Sequence, residues 1–303
     1  MLHAHLLLDR DGVQVTDVAC RHEARRGDVH EAGHHAVVLV RRGCFTRSAG
    51  GTRQVLDPTS VYGINPGDEQ SYDHPHTPGD DCTSVRVDAG LLATLWGGEP
   101  TLPDVLPPLA GSPNVDLEHR LLLAAARRVE GRDDLDLVER TISLVASVLA
   151  TADARRVASG RPSTARARTA LVDAARQCLA ADPGRSLPDL AASLGASPHH
   201  LSRTFRAATG NTIARHRMRL RTRAALDRLA EGDHDLTRLA ADLGFADHSH
   251  LCRVLRTETG HTPSALRHAL AAPQPSGSTI WRGDDGGAGG DRTHDRWIMS
   301  PLL

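Results

Sequence analysis

Residues 190–210, LAASLGASPHHLSRTFRAATG, and residues 239–260, LAADLGFADHSHLCRVLRTETG, are two versions of one sentence. Leu187, Leu190, Leu194 and Gly195 correspond to Leu236, Leu239, Leu243 and Gly244 at an offset of 49. Leu201, Arg203, Arg206, Gly210 and Thr212 correspond to Leu251, Arg253, Arg256, Gly260 and Thr262 at an offset of 50. The extra residue falls in the turn, where an insertion costs least. Each copy predicts a short helix that stops at a glycine able to take the left-handed conformation. A second helix follows, capped by Ser197 with Pro198 behind it in copy one and by Asp247 in copy two. Leu201 and Phe205, and in turn Leu251 and Leu255, form its buried stripe. Two short helices joined by a tight glycine turn make a helix-turn-helix, whose second helix can enter a DNA major groove.

The face opposite that stripe carries the chemistry. His199, Ser202 and Arg203 stand at i, i+3 and i+4 and share one side of the helix. Ser249, Cys252 and Arg253 repeat the pattern, with His248 at the helix tip. Arginine can donate two hydrogen bonds to guanine, and serine or histidine can read several base edges. Arg206 and Arg256, one turn on, are placed to meet phosphates. Between the copies IARHRMRLRTRAALDRLAEG (213–232) reads as one long helix bearing Arg215, Arg217, Arg219, Arg221, Arg223 and Arg228. It is expected to be a rigid basic connector that spaces the two reading helices to match successive grooves.

Charge supports a polyanion partner for this region alone. Residues 165–270 hold 16 arginines against 10 acidic residues, whereas residues 1–164 hold 17 against 23. The net charge of −1 conceals that split, and the chain has no lysine. The opposite signs raise the expectation that the acidic half partly masks the basic reader.

The N-terminal third reads as β structure. AVVLVRRGCFTRS (36–48) is β-branched and apolar, AGGT (49–52) is a hairpin signal, and RQVL, SVYGIN and TSVRVD follow between turn residues. Asp116 is expected to cap a helix running to about residue 130. A second helix, about 134–152, carries Val138, Ile142, Val145 and Leu149 on one stripe, which fits either packing against the barrel or a dimer seam. The polar stretch ADARRVASGRPSTARAR (152–168) reads as a linker. The Pro/Gly/Asp-rich residues 271–303 are expected to be disordered. Five scattered cysteines suit a reducing compartment, and the sequence lacks both a membrane-length apolar run and a signal-peptide pattern, so a cytoplasmic location is expected.

The region 187–267 closely resembles the AraC/XylS-type regulators. Their second unit reads G-F-x-D-x-S-x-F-x-R-x-F and then G-x-T-P-x-x-x-R. Gly244, Phe245, Asp247, Ser249, Leu251, Arg253, Leu255, Gly260, Thr262, Pro263 and Arg267 follow it here, with Leu251 and Leu255 in place of phenylalanine. The resemblance implies a seven-helix domain that binds double-stranded DNA and regulates transcription, with RNA polymerase as a partner and a homodimer as the assembly.

Many such regulators carry an N-terminal cupin-like barrel controlled by a small-molecule effector, and the strand-rich 1–100 region fits that plan. VHEAGHHAVVLVRRG (29–43) is similar to the first cupin motif, with His30, His34 and His35 but no following glutamate. In INPGDEQSYDHPH (64–76), Gln70 stands where the second motif has its metal-binding histidine. Cys44, His74, His76 and Cys82 raise an alternative, a metal or redox site drawn from neighbouring strands, against plain burial of small thiols. No nucleophile–base pair or phosphate loop occurs, so an enzyme is not expected, and no cofactor; a cupin-type metalloenzyme and a thiol or metal sensor using Cys44 and Cys82 are the alternatives. The expected fold class is α+β multidomain. It comprises a cupin-like sensor barrel at 1–110, a helical dimerisation segment and linker at 111–164, the double helix-turn-helix at 165–270 and the tail at 271–303.

Overall fold

The computed structural model describes residues 2–21, 29–74, 79–96, 98, 101–103, 113–128, 133–156 and 165–271. The expected tail, apart from Ala271, and residues 157–164 of the linker lie outside the described residues, while the linker's two ends belong to helices. Among the described residues nine strands come first: β1 (Leu2–Arg10), β2 (Val13–Cys20), β3 (His30–Glu31), β4 (His35–Arg42), β5 (Phe45–Ala49), β6 (Thr52–Leu56), β7 (Val61–Ile64), β8 (Glu69–Asp73) and β9 (Asp80–Val87). They pair antiparallel in two sheets, ordered β1-β2-β9-β4-β7 and β3-β8-β5-β6. The hairpin at Gly50–Gly51 joins β5 to β6 as expected, with φ of 54° and 72°. Asp11–Gly12, φ 52° and 79°, joins β1 to β2 in the same way. Two consecutive positive φ values give the twist that a two-residue hairpin needs.

The apolar run in β4 is buried on both faces. Ala36, Val38 and Val40 face the space between the sheets, packing with Phe45, Leu56, Tyr62, Tyr72 and Cys82. Val37 and Leu39 alternate to the other side, beneath the helices. That outer face is covered by α1 (Ala89–Leu95), α2 (Pro113–Ala126) and α3 (Asp134–Arg156). Val138, Val145 and Leu149 of α3 are buried in this same cluster, with Ile142 packed against it. The stripe is therefore the chain's own core, which takes it away from a dimer seam. Asp116 lies in the first turn of α2 rather than capping it, because Pro113 already begins the helix.

Among the described residues seven further helices follow: α4 (Ala165–Ala181), α5 (Leu187–Ser193), α6 (Pro198–Thr209), α7 (Ile213–Ala230), α8 (Leu236–Asp242), α9 (His248–Thr259) and α10 (Pro263–Leu270). They enclose two small cores. The first joins Val172, Leu179, Leu190, Leu201 and Phe205 to Ile213 and Leu220 of α7. The second joins Leu226 and Leu229 of α7 to Leu239, Phe245, Leu251, Leu255 and Leu266, and takes Leu117 from α2. No helix among the described residues is long and apolar enough to cross a membrane.

Helix α2 is thus shared between the sheet and the second helical unit, and its buried His119 marks the seam with the sheet. His119 Nε2 lies 2.8 Å from the Thr83 hydroxyl of β9. Burial, then the charge of Arg41, holds its pKa down at about 3, with Arg120 and Arg127 acting the same way against Asp116. As pH falls from 6.5 toward 3, the unfolded chain takes up a proton that the folded chain refuses. Stability is full above about 6.5 and falls through that window. Urea unfolding of His119→Gln should therefore show a shallower pH dependence between about 6.5 and 4 than the wild type, by up to about 1.4 kcal/mol per pH unit. Half-buried His34, whose pKa burial lowers to about 4, titrates in both proteins and cancels. Superimposable slopes would contradict the assignment.

Candidate nucleic-acid interface

Both reading units are built by the same local chemistry. Ser186 caps α5 by accepting from Asp189 N, and Asp235 caps α8 by accepting from Arg238 N at 2.9 Å. The turns follow at Gly195 (φ 62°) and Gly244 (φ 71°). Ser197 then caps α6, accepting from His200 N at 3.2 Å, and Asp247 caps α9, accepting from His250 N at 2.6 Å. Gly210 and Gly260 end the two helices in the left-handed conformation. Leu201, Phe205, Leu251 and Leu255 are each 0% exposed, so the leucines at 251 and 255 fill their core as phenylalanine would elsewhere.

Opposite these stripes, His199, Arg203 and Arg206 are exposed on α6, and His248, Ser249, Arg253 and Arg256 on α9. Ser202 and Cys252 are half-buried at the edge of their faces, and Cys252 Sγ lies 3.5 Å from His248 Nε2. Partial burial raises the Cys252 pKa. Among the described residues, no carboxylate pairs with Arg203, Arg206, Arg253 or Arg256. Four exposed guanidinium groups thus stand on two equivalent helix faces.

The arginines of α7 behave differently, which corrects the expectation of a basic connector. At i, i+2 spacing they alternate between two sides of the helix and cannot all present one basic face. Arg217 Nε donates to Pro183 O at 2.9 Å. Arg221 donates to Gly244 O at 2.7 Å and to Pro183 O at 3.2 Å, clamping the second turn to the lead-in of the first unit. A Cβ on Gly244 would stand 3.0 Å from that guanidinium. Arg219 and Arg223 are buried, Arg228 pairs with Asp233, and Arg215 remains exposed.

The N-terminal half grips this unit through opposite charges, in pairings that the sequence reading did not foresee. Asp57, fully buried in the β6–β7 turn, accepts from Arg176 Nε of α4 at 2.9 Å, and His216 Nε2 of α7 lies 3.4 Å from it. Thr59 and Ser60 hydroxyls bond the same carboxylate. Burial pushes the Asp57 pKa up, but Arg176 and His216 outweigh it and hold the carboxyl well below its usual range. A second cluster joins Asp116 and Arg120 of α2 to Arg223 and Asp227 of α7, with Arg42 of β4 on Asp227 and Glu231. Among the described residues none of these contacts uses a reading-face arginine, which gives no support to the expected masking of the reader. Around the second cluster lies a half-open cleft of about 560 Å³, lined by strands β1, β2, β4 and β9 and by α2, α7 and α10.

The histidines of the cupin-like motif do not converge. His30 pairs in register with Gln70, His35 Nδ1 lies 3.4 Å from Asn65 Oδ1, and Gln70 is buried against Arg47 and Tyr72. Cys44 and Cys82 answer to different neighbours. Burial, then Asp57, lifts the Cys44 pKa to about 12, while burial, then Asp80, raises that of Cys82. His74 joins Cys82 around Asp80; His76 lies outside the described residues.

Residues 190–269 match the family model of a helix-turn-helix domain. The chain is similar to an apo point variant of ToxT from Vibrio cholerae strain SCE256, at 10% identity over 87% of this chain and 100% of that one, with a TM-score of 0.36. ToxT of V. cholerae O395 bound to (E)-4-(8-methylnaphthalen-1-yl)but-3-enoic acid is similar at 10% identity, covering 86% and 100%, TM-score 0.34. An RmlC-like cupin from Shewanella frigidimarina NCIMB 400 is similar at 19% identity over 28% of this chain and 75% of that one, TM-score 0.26. No curated protein matches the chain. Residues 190–269 are thus a helix-turn-helix domain, and a β-sandwich of two antiparallel sheets precedes them.

Arg221 makes its contacts inside the reader, so its loss should act through geometry. Arg221→Met is expected to weaken DNA binding several-fold with the slope of log affinity against log salt unchanged, measured by fluorescence anisotropy. A slope flattened by about 0.9 would instead mark Arg221 as a phosphate contact.

Proposed function

We propose that the chain reads a specific DNA site with α6 and α9 in successive major grooves, under the control of a small molecule bound by its N-terminal half. The observation that carries this reading is the set of four arginines, Arg203, Arg206, Arg253 and Arg256, without carboxylate partners in a chain whose other arginines are largely engaged. Arg203 and Arg253, with His199, Ser202, His248, Ser249 and Cys252, would meet base edges, and Arg206 and Arg256 phosphates. The 18 residues of α7 span about 27 Å, comparable to the roughly 34 Å of one duplex turn. Residues 165–270 would be the reader and residues 1–110 the sensor, with α2 and α3 as the bracket between them.

The space between the sheets is filled by Phe45, Tyr62, Tyr72, Arg47 and Gln70. We therefore put the effector in the cleft on the barrel's outer side, whose volume suits a small ligand. Polar and charged groups line it, so a polar molecule fits best. Seated there, it would compete for Arg42 and Asp227 and so bear on α7, shifting the population only through unequal affinity for two states.

Selection of bound sequences from random DNA with the full-length protein tests the reading. Arg203→Ala and Arg253→Ala should each cost about 1–3 kcal/mol at the selected site and relax the preference at a few adjacent positions. Arg206→Ala should weaken all sequences alike and flatten the salt slope by about 0.9. A uniform loss across the library from all three would contradict the division into readers and holders.

A further inference from the structure

At one end of the β-sandwich, Cys20, His74 and Asp80 bring a thiol, an imidazole and a carboxylate together out of solvent, each less than a tenth exposed. One donor atom from each lies within 4.8 Å of the other two. Cys20 and Asp80 oppose one another in the β2–β9 register, and His74 arrives from the end of β8 in the other sheet. Gly79 makes this approach possible. Its φ of 141° suits glycine, and a Cβ there would stand 1.9 Å from Cys20 O.

The surroundings hold the three groups in orientation. His74 Nε2 lies 2.5 Å from Asp80 Oδ1, and the Phe45 ring packs over the imidazole at 5.5 Å. The Cys82 thiol donates to the other oxygen, Asp80 Oδ2, at 3.0 Å, from behind the carboxylate. The neighbouring cations are already engaged: Arg21 with Asp81, and Arg41 with Asp17. Asp80 is thus left to the cluster.

We propose that Cys20, His74 and Asp80 bind one divalent transition-metal ion of the zinc class, with Cys82 orienting the carboxylate. Ligands at about 2.0–2.3 Å around a tetrahedral ion stand about 3.3–3.8 Å apart, inside the 4.8 Å that bounds the three present separations. Sulfur, nitrogen and oxygen donors together favour zinc or cobalt over magnesium or calcium. These are not the positions of the cupin-like motif, which His30, His34, His35 and Gln70 leave unbuilt. Imidazole and thiol bind a metal only in their deprotonated forms, so loading the site releases protons. The ion would fasten the two sheets to each other beside the cleft, which Ala19 and Asp81 line from the next positions along the same strands. The site stands on the barrel alone and is independent of how the reader meets DNA.

Cobalt(II) titration of reduced, metal-stripped full-length protein tests the site. One equivalent should bind with a thiolate-to-cobalt charge-transfer band in the near ultraviolet, and zinc should displace it. Cys20→Ser should abolish the band and Cys44→Ser should keep it. Cys82→Ala should retain the band while weakening binding about 10–100-fold. Should Cys20→Ser fail to fold by circular dichroism, mass-mapped alkylation of the wild type replaces it. Zinc must then slow modification of Cys20 about tenfold or more and leave Cys252 unaffected. A wild type without the band at one equivalent, a band that survives Cys20→Ser, or no protection of Cys20 would overturn the proposal.

Discussion

A carboxylate with no exposed surface, Asp57, sits where the sandwich meets the first reading unit. A buried charge is tolerated only when its hydrogen-bonding capacity is met. Here Arg176 supplies a guanidinium bond and also caps Val55 O and the Ser60 hydroxyl, while Thr59 bonds the carboxylate from its own turn. His216 approaches the same oxygen from α7. One side chain of the β-sandwich thus orders two helices of the DNA-binding region at once. The second cluster, Asp116, Arg120, Arg223 and Asp227, does the same from α2, with Leu117 entering the core of the second unit. The two grips hold α7 near both ends, at His216 and at Asp227. A change in the cleft beside Asp227 is accordingly placed to alter the pose of both reading helices through one rigid element.

Arginine serves two purposes in this chain, and partners separate them. Arg120 and Arg223 are buried and Arg176 part-buried against carboxylates, and Arg217 and Arg221 satisfy loop carbonyls. Such groups are costly to desolvate and are retained where planar, multidentate donors fix geometry. Arg203, Arg206, Arg253 and Arg256 remain exposed, without a carboxylate partner among the described residues. The excess of 16 arginines over 10 acidic residues in 165–270 is therefore a poor map of the interface, since much of it is neutralised internally.

The helix-turn-helix pair was legible because its signals are local. Glycines at 195 and 244, caps at Ser197 and Asp247, and leucines at helical spacing need no tertiary context. The hairpin at Gly50–Gly51 was legible for the same reason, and the equivalent Asp11–Gly12 signal was there to be read. The grip was not. Asp57 lies 119 residues from Arg176, and a lone aspartate in a DP turn looks like any other turn residue. The stripe on α3 showed correctly as apolar, but a stripe does not say whether a sheet or a second chain covers it. Cys20 and Asp80 were overlooked because register, not sequence spacing, sets them opposite each other.

If buried charge fastens the sandwich and the reader into one unit, the two must melt together. Differential scanning calorimetry of the full-length wild type beside Asp57→Asn decides the matter. A single coupled transition is expected for the wild type. The variant should show a separate, earlier transition of the helical region, since removing one partner of a buried pair costs about 3–5 kcal/mol. Two independent transitions in the wild type, neither moved by Asp57→Asn, would contradict the coupling.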